Sequence, residues 1–340
     1  MEAMNFAISR PMNAFCQKLA GSLWLASLFW AGWAQGQGLL QTFGSGANQF
    51  QIEFVTIGNP GNAADTTGAP NPSGAVSYTY NIGKYEVSRD MITKANAAGG
   101  LGISLQDMSS YGGNGVHRPA AGISWNEAAR FVNWLNTSQG FQAAYNFTTS
   151  GANANITLWG AGNYNGSNPF RHKDAVYFLP SVDEWYKAAY GSPSGTWYNF
   201  TTGSDTAPTA VTGGTAAGTA VYGRTTATGP ADISNAGGLS AYGLMAMGGN
   251  VWEWNEGAFD GVNSSATEQR VIRGGRWDGA GGSIVPDDLE ATKRYGVLPT
   301  DESYTFGLRV ASVPEPSSAS LLILGLAAVL ARSRRGRGKV

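Results

Sequence analysis

The chain has almost no cysteine and almost no histidine, and both scarcities restrict its chemistry. Its 340 residues include one cysteine, Cys16, and two histidines, His117 and His172. A single thiol near the amino terminus cannot cross-link the rest of the chain with a disulfide. Two separate histidines do not supply the cluster of about three imidazole or carboxylate ligands that a non-haem iron site needs. Cysteine-pair redox chemistry and histidine-based metal catalysis are therefore not expected.

Charged residues and the sequence patterns of common catalytic sites are scarce as well. Lys, Arg, Asp and Glu make up 13% of the chain, and neither G-x-x-x-x-G-K nor G-x-S-x-G occurs. These patterns mark phosphate-binding loops and nucleophilic serines. Asp287, Asp288 and Glu290 form a dense acidic cluster late in the chain. This cluster is either a solvated acidic loop or a site for a divalent cation.

The amino-terminal segment has the charge order of a secretory signal peptide. Arg10 and Lys18 precede an uncharged apolar stretch over residues 19–34, in which Gly32 and Ala34 suit a cleavage site. We expect residues 1–36 to be removed by signal peptidase, although a buried amino-terminal helix is an alternative. The mature body would then contain no cysteine.

The carboxyl terminus carries a second targeting pattern. Its motif is Val313, Pro314, Glu315 and Pro316. A short apolar run over residues 319–331 and an arginine-rich end follow, and the run is shorter than the roughly 20 residues of a full membrane span. This arrangement resembles the PEP-CTERM sorting signal of Gram-negative bacteria. The resemblance implies that an exosortase removes residues 313–340 after a transient inner-membrane anchoring, with the basic end cytoplasmic, and delivers the protein to the envelope or extracellular matrix. An ordinary tail anchor is the alternative.

The body over residues 37–312 is acidic, because the removed ends carry Arg10, Lys18 and the basic tail. An acidic surface argues against nucleic-acid binding, which requires clustered Lys and Arg. It is compatible with bound cations. Residues 51–57 alternate polar and apolar side chains and predict a strand.

Three helices have recognisable start signals. Ser88 is a candidate N-cap for a short helix. Ser124 with Glu127, and Ser181 with Glu184, form capping-box patterns that predict the beginnings of two main helices.

Five segments of the body occur in the order of one known family. They are residues 118–134, 178–185, 249–254, 273–275 and 306–310, which include Gly249-Asn250-Val251-Trp252-Glu253-Trp254 and Arg273-Gly274-Gly275. Together they resemble the formylglycine-generating enzyme, or sulfatase-modifying factor, family. The resemblance implies an α+β fold that is a variant of the C-type lectin fold. Such a fold is low in regular secondary structure, with small antiparallel sheets and two main helices.

The resemblance also identifies what this chain has lost. Active members oxidise a substrate cysteine with their own cysteine pair, whereas here Gly279 and Ile284 stand where those thiols would be. Copper(I) selects soft sulfur ligands, so no copper is expected. We therefore predict a non-catalytic binding or structural module that reuses the scaffold. The alternative is an enzyme, formylglycine-generating or another oxidoreductase, with an active site relocated to the acidic cluster of Asp287, Asp288 and Glu290.

A structural calcium site is a further implication of the resemblance. The carbonyl groups of Gly249 and Val251 and the carboxylate of Glu253 correspond to ligands in the family. Ala246 stands where the family supplies Asp or Asn, and calcium needs about six to eight oxygens. The site is thus expected to be weakened. The alternative is that Glu253 is a buried, hydrogen-bonded carboxylate.

Two long segments, residues 141–173 and 191–229, resemble insertions in the scaffold. Trp159, Tyr164 and Trp197 lie in them and could stack on a sugar or a peptide. An exopolysaccharide or another envelope component is the expected kind of partner, an expectation based on fold and sorting context alone.

Overall fold

Two main sheets, two isolated two-stranded pairs and three α-helices are the principal elements of the part of the chain that the structure describes. A computed structural model describes residues 39–148, 156–164, 166, 168–279 and 286–314. The expected signal peptide, Glu315, Pro316 and the apolar carboxyl-terminal run lie outside these residues. Within them, no helix combines the length and apolar character needed to cross a membrane.

A five-stranded sheet is assembled from distant parts of the sequence. The strands of the described residues are β1 (Leu39–Phe43), β2 (Phe50–Ile57), β3 (Tyr80–Gly83), β4 (Asn146–Phe147), β5 (Ile156–Thr157), β6 (Tyr177–Phe178), β7 (Thr209–Ala210), β8 (Thr219–Ala220), β9 (Trp252–Ala258), β10 (Arg270–Arg273), β11 (Tyr295–Val297), β12 (Phe306–Gly307) and β13 (Ala311–Ser312). The order β1-β2-β3-β13-β6 is antiparallel throughout. The last strand of the chain is therefore an interior strand of this sheet.

A second sheet has the order β11-β10-β9-β12, in which only the β9–β12 pair is parallel. Trp252 and Trp254 are two residues apart in β9, so the alternation of side chains along the strand places their rings on the same face. Trp254 donates to the Ile123 carbonyl at 2.8 Å, and Trp252 packs against Tyr295. Residues 252–256 are all buried, so this part of β9 is covered on both faces.

The three helices begin at the predicted caps. They are α1 (Arg89–Gly99), α2 (Trp125–Ser138) and α3 (Val182–Tyr190). Complete capping boxes at Ser124–Glu127 and Ser181–Glu184 start α2 and α3. Each box satisfies backbone N–H groups that the first helical turn would otherwise leave unpaired.

Aromatic side chains fill the core between the helices and the sheets. Trp125, Trp185, Trp254 and Trp277 have no exposed surface. Trp125 on α2 donates its indole N–H to the Asn255 carbonyl on β9 at 3.0 Å. The Trp125 ring thus combines a large apolar area with a hydrogen bond, which fixes the orientation of α2 on the second sheet.

The two long insertions contain little regular structure. The first includes the pair β4–β5, and the second includes the parallel pair β7–β8. Hydrogen bonds attach both to the body: Asn133 Nδ2 donates to Tyr145 O at 2.7 Å, and Arg224 N donates to Trp277 O at 2.7 Å. The described parts of these insertions therefore lie against the body.

Candidate functional site

The segment 249–254 begins with a turn, immediately before β9, that requires glycine and then a residue in the left-handed region. Gly249 has φ 83°, and a Cβ placed on it would lie 2.3 Å from the Val221 carbonyl oxygen. Its N–H donates to Gly274 O at 2.7 Å. Asn250 follows with φ 60°, a conformation that Asn tolerates better than most residues. Close backbone contact therefore explains the first two residues of the motif.

Asn250 joins the turn to a buried carboxylate. Its side-chain nitrogen Nδ2 donates to Glu86 Oε2 at 2.6 Å, and its side-chain oxygen Oδ1 accepts from Ala231 N at 2.8 Å. Val251 N donates to the other Glu86 oxygen at 3.2 Å. Glu86 is 1% exposed, and burial together with the charge of Glu253 raises its pKa to about 8.

Glu253 and Arg309 form a fully buried ion pair at the centre of the molecule. Arg309 Nη2 lies 2.7 Å from Glu253 Oε1, and Nε lies 3.1 and 3.0 Å from the two carboxylate oxygens. Trp185 donates its indole N–H to Oε2 at 2.7 Å. The remaining Arg309 donors reach Gly83 O at 2.8 Å and Met245 O at 2.7 Å.

This ion pair connects the two sheets and helix α3. Gly83 ends β3, Glu253 lies in β9, and Arg309 lies two residues before β13. A buried pair with this many hydrogen bonds fixes one relative placement of the elements that carry it, because a shifted arrangement would leave charges unpaired. The polar groups of the motif thus have structural partners.

The aromatic residues predicted to bind a ligand lie apart in sequence and have separate neighbours. Trp159 is half-buried, donates to Ala144 O at 3.0 Å and meets His172 edge to face at 4.7 Å. Trp197 is half-buried, packs against Tyr186 at 5.5 Å and closes a cavity of about 10 Å³. Tyr164 is half-buried in the first insertion. Their role in binding stays a prediction.

A different group of side chains stands out beside Trp277, where sequence patterns gave no signal. Tyr111 and Tyr304 stack face to face, with ring centroids 4.3 Å apart and an angle of 8°. Trp277 meets the Tyr304 ring edge to face at 5.6 Å. We call Tyr111, Arg276, Trp277, Asp278 and Tyr304 the Trp277 corner. Its members come from three separate stretches of chain, so only folding brings them together.

The polar groups of the Trp277 corner are incompletely paired. Tyr304 donates to Asp278 Oδ2 at 3.0 Å. Arg276 Nε lies 3.0 Å from Asp278 Oδ1, an ion pair without hydrogen-bond geometry. The Trp277 indole N–H and Asp278 Oδ1 are buried and have no hydrogen-bond partner. Buried polar groups in native proteins normally have one, so an unpaired donor and acceptor mark this corner as a candidate site.

A cavity of about 180 Å³ lies elsewhere, between β2 and the start of α1. Its walls are mostly apolar, with Glu86 as a buried carboxyl group. Neither this cavity nor the one beside Trp197 is lined by Asp287, Asp288 or Glu290. Asp288 instead accepts from Tyr295 at 2.9 Å. Within the described residues, no three His, Cys, Asp or Glu side chains are grouped as a metal site would require.

A family model for the sulfatase-modifying factor enzyme 1-like domain matches residues 50–313. The chain belongs to this family. A PEP-CTERM protein-sorting motif matches residues 312–337, which indicates export and exosortase-dependent sorting to the cell envelope. No curated protein sequence matches the chain at a significant level.

Solved structures support the predicted fold. Treponema denticola variable protein 1 has a TM-score of 0.55 and 18% identity, covering 81% of this chain and 99% of its own. CarF has a TM-score of 0.54 and 17% identity, covering 78% and 99%. PvdO from Pseudomonas aeruginosa has a TM-score of 0.51 and 17% identity, covering 83% and 100%. The predicted C-type-lectin-like α+β fold is confirmed.

Within this sulfatase-modifying factor domain, the family resemblance predicts that Gly279 stands at the first of the two thiol positions. Its N–H donates to Arg224 O at 3.1 Å, so Gly279 continues the backbone pairing of Trp277 with Arg224. Ile284, the other corresponding position, lies outside the described residues. A glycine offers no nucleophile and no ligand side chain at the first of these positions.

The carboxylate of Glu253 does not fit a calcium ligand as it is arranged here. Both of its oxygens accept hydrogen bonds from Arg309, and a cation at the carboxylate would face the guanidinium charge at a few ångströms. Ala246, at the position of a missing ligand, contributes only backbone oxygen. The calcium site of Gly249, Val251 and Glu253 stays a prediction to be tested in solution.

Proposed function

We propose that this sulfatase-modifying factor domain is a non-catalytic binding or structural module that is exported and displayed at the cell envelope or in the extracellular matrix. The observation that carries the proposal is Gly279 at the position of a family thiol, in a chain whose single cysteine is Cys16. Oxidation of a substrate cysteine by the family's route needs a thiolate at this position. The scaffold is retained while its reactive group is absent.

The buried polar groups support the same proposal. Glu253, Arg309 and Trp185 satisfy one another, and Glu86 accepts from Asn250 and Val251. Groups that are hydrogen-bonded in this way stabilise the fold. The function then depends on surfaces, for which a C-type-lectin-like frame provides loops.

Export involves two processing partners in this proposal. Signal peptidase removes residues 1–36, and an exosortase acts at the motif that begins with Val313 and Pro314. We propose that the apolar run after the motif holds the protein transiently at the inner membrane. An exopolysaccharide or another envelope component is the proposed partner of the delivered protein.

Catalysis is tested directly with a sulfatase-type cysteine peptide. The purified chain is incubated with the peptide in air, with and without copper, and the peptide is analysed by mass spectrometry. We expect no loss of mass from the cysteine, whereas an active enzyme of the family in a parallel reaction converts it. Conversion by this chain would refute the non-catalytic role and favour a relocated site.

Sorting is tested separately in a Gram-negative host that has an exosortase. The wild-type chain is compared with a variant in which Pro314, Glu315 and Pro316 are replaced by alanine. We expect a processed wild-type protein in the envelope or medium and an unprocessed variant in the inner membrane. Equal processing of both chains would contradict the proposed route.

A further inference from the structure

The five-stranded sheet splits beside the first half of β2. Strand β3 pairs with residues 54–57 of β2, and Lys84 N extends this pairing by one bond, to Glu53 O at 2.7 Å. The chain then turns towards the segment that precedes β13, where Val87 N donates to Leu308 O at 3.0 Å. A gap therefore opens beside the amino-terminal half of β2, and this gap is the cavity of about 180 Å³.

The lining of this cavity is mostly apolar, and a strand and a helix close the gap from two sides. Leu40 lies opposite Glu53 in the β1–β2 register, and Met91 lies in the first turn of α1. Leu40 lines the cavity and is 55% exposed, so the cavity reaches the surface beside β1. The apolar residues of the lining are Leu40, Ile52, Tyr85, Val87, Met91 and Val310.

The charged side chains of the lining already have protein partners. Glu53 is paired with Lys84 at 3.0 Å. Glu86 accepts from Asn250 Nδ2 at 2.6 Å and from Val251 N at 3.2 Å. These carboxyl groups therefore do not require a ligand to complete them, and the cavity offers a ligand mainly apolar contact area.

The size of the cavity sets the size of a ligand. Protein interiors are close-packed, and voids larger than a water molecule are few. Apolar cavities of about 150 Å³ are known to bind a benzene ring. A cavity of about 180 Å³ thus accommodates an apolar body of roughly six to eight carbon atoms.

We propose that this cavity binds a neutral apolar ligand of that size, either a small ring or the end of an aliphatic chain, which enters past Leu40 and packs against Val87 and Met91. The proposal rests on the proposed function as an exported binding module and gives that module a ligand class and a position. Burial of apolar surface from both partners is the driving force. A polar end of the ligand would stay at the mouth, in water.

Other ligand classes match the lining less well. An anion would lie beside the acidic side chains of Glu53 and Glu86. A cation would find both of them engaged by other partners, and moving a charge into an apolar cavity without a free counter-charge is costly. A sugar would leave hydroxyl groups without partners against the apolar walls. A neutral hydrocarbon body has none of these costs.

The test measures ligand binding by the full chain with isothermal titration calorimetry. Toluene is the ring probe and 1-hexanol is the chain probe, while benzylamine and benzoate are the charged counterparts of toluene. The variants are Leu40→Ala and Met91→Trp, with Leu39→Ala as the matched control. Leu39 is the neighbour of Leu40 in β1 and is 45% exposed, but alternation along the strand places it on the other face. Melting temperature and near-ultraviolet circular dichroism establish that each variant is folded.

We expect toluene, 1-hexanol or both to bind the wild type with a Kd of about 1 mM or tighter. Leu40→Ala should weaken this binding about three- to tenfold, through the loss of apolar wall contacts. Met91→Trp places a larger side chain in the cavity wall and should abolish binding. Leu39→Ala should bind as the wild type does, and benzylamine and benzoate should bind at least tenfold more weakly than toluene. Binding of toluene alone identifies a ring ligand, and binding of 1-hexanol alone identifies a chain.

The remaining outcomes overturn one of the two proposals and identify which. Failure of both neutral probes to bind would refute the cavity as an apolar site and leave the non-catalytic module standing. Benzylamine binding more tightly than toluene would refute the neutral ligand class. Binding that is unchanged in folded Leu40→Ala, or that is lost in Leu39→Ala, would place the ligand outside this cavity. Leu40 is exposed, so this arm remains decisive if Met91→Trp does not fold. Conversion of the sulfatase-type peptide would refute the non-catalytic function independently of any result with these probes.

Discussion

Replacing Arg309 by methionine tests whether the ion pair at the centre of the molecule holds the two sheets together. Methionine keeps much of the apolar volume of the side chain and removes its charge. The substitution leaves Glu253 buried without a cation and leaves the carbonyl groups of Gly83 and Met245 without donors.

The expected loss is large because the carboxylate cannot reach water. Glu253 and Arg309 both have no exposed surface, and removing one partner of a buried pair costs about 3–5 kcal/mol. Typical domains are stable by about 5–15 kcal/mol, so roughly a fifth or more of the stability is at stake. For a domain of this size we expect the melting temperature to fall by about 6–10 °C.

Urea unfolding followed by tryptophan fluorescence measures the loss. Arg294→Met is the matched control, because Arg294 is half-buried, stacks on Phe259 and donates to its carbonyl at 2.7 Å. We expect that control to lose about 1 kcal/mol. A loss below about 1 kcal/mol in Arg309→Met would refute the reasoning. The reasoning would also be refuted if the Glu253→Gln, Arg309→Met double variant lost as much stability as the sum of the losses in the two single variants.

Three further predictions concern the motif and its neighbours. The pKa of Glu86 is raised in the folded state, so the folded protein binds its proton more tightly than the unfolded chain, and this group's contribution to stability falls as pH rises from about 5 to 8. Across that pH range, the free energy of unfolding should decline less steeply for Glu86→Gln than for the wild type. Parallel curves of this free energy against pH would contradict the prediction. Gly249→Ala should cost about 2 kcal/mol more than Gly243→Ala in urea unfolding, because both glycines have positive φ but only Gly249 lacks room for a Cβ. If Glu253 is held by its ion pair, 10 mM Ca²⁺ should raise the free energy of unfolding of the wild type by less than about 0.5 kcal/mol, as measured by calorimetry. A calcium site with a Kd near 1 mM would raise it by about 1.4 kcal/mol.

Local signals in the sequence were sufficient for several helix starts and one strand, whereas the fold class was predicted from the family resemblance. The capping boxes at Ser124 and Ser181 predicted two helix starts because such caps depend on residues three apart. The strand over residues 51–57 was readable because β2 alternates buried and more exposed positions. His172 lies between two charged residues in the sequence but is only 9% exposed, because Trp159 packs on it.

The candidate site was much harder to predict, because its parts are distant in sequence. Tyr111, Asp278 and Tyr304 occur in stretches with no shared pattern, and their proximity follows from tertiary packing. The pairing of Glu253 with Arg309 also follows from tertiary packing and could not be predicted from a local pattern, because 56 residues separate the two. The aromatic residues Trp159, Tyr164 and Trp197 attracted attention through composition alone, which does not indicate whether a ring is anchored by its neighbours.

The position of β13 has a consequence for the timing of folding. This strand lies between β3 and β6, and only Val313 separates its last residue from Pro314 of the sorting motif. Because synthesis and export proceed from the amino terminus, β1, β2, β3 and β6 emerge before β13, which pairs with β3 and β6. The middle of the sheet therefore closes only when the sorting motif itself has emerged. A chain truncated before Ala311 should lack this closure, so completion of the fold and presentation of the sorting motif are nearly the same event.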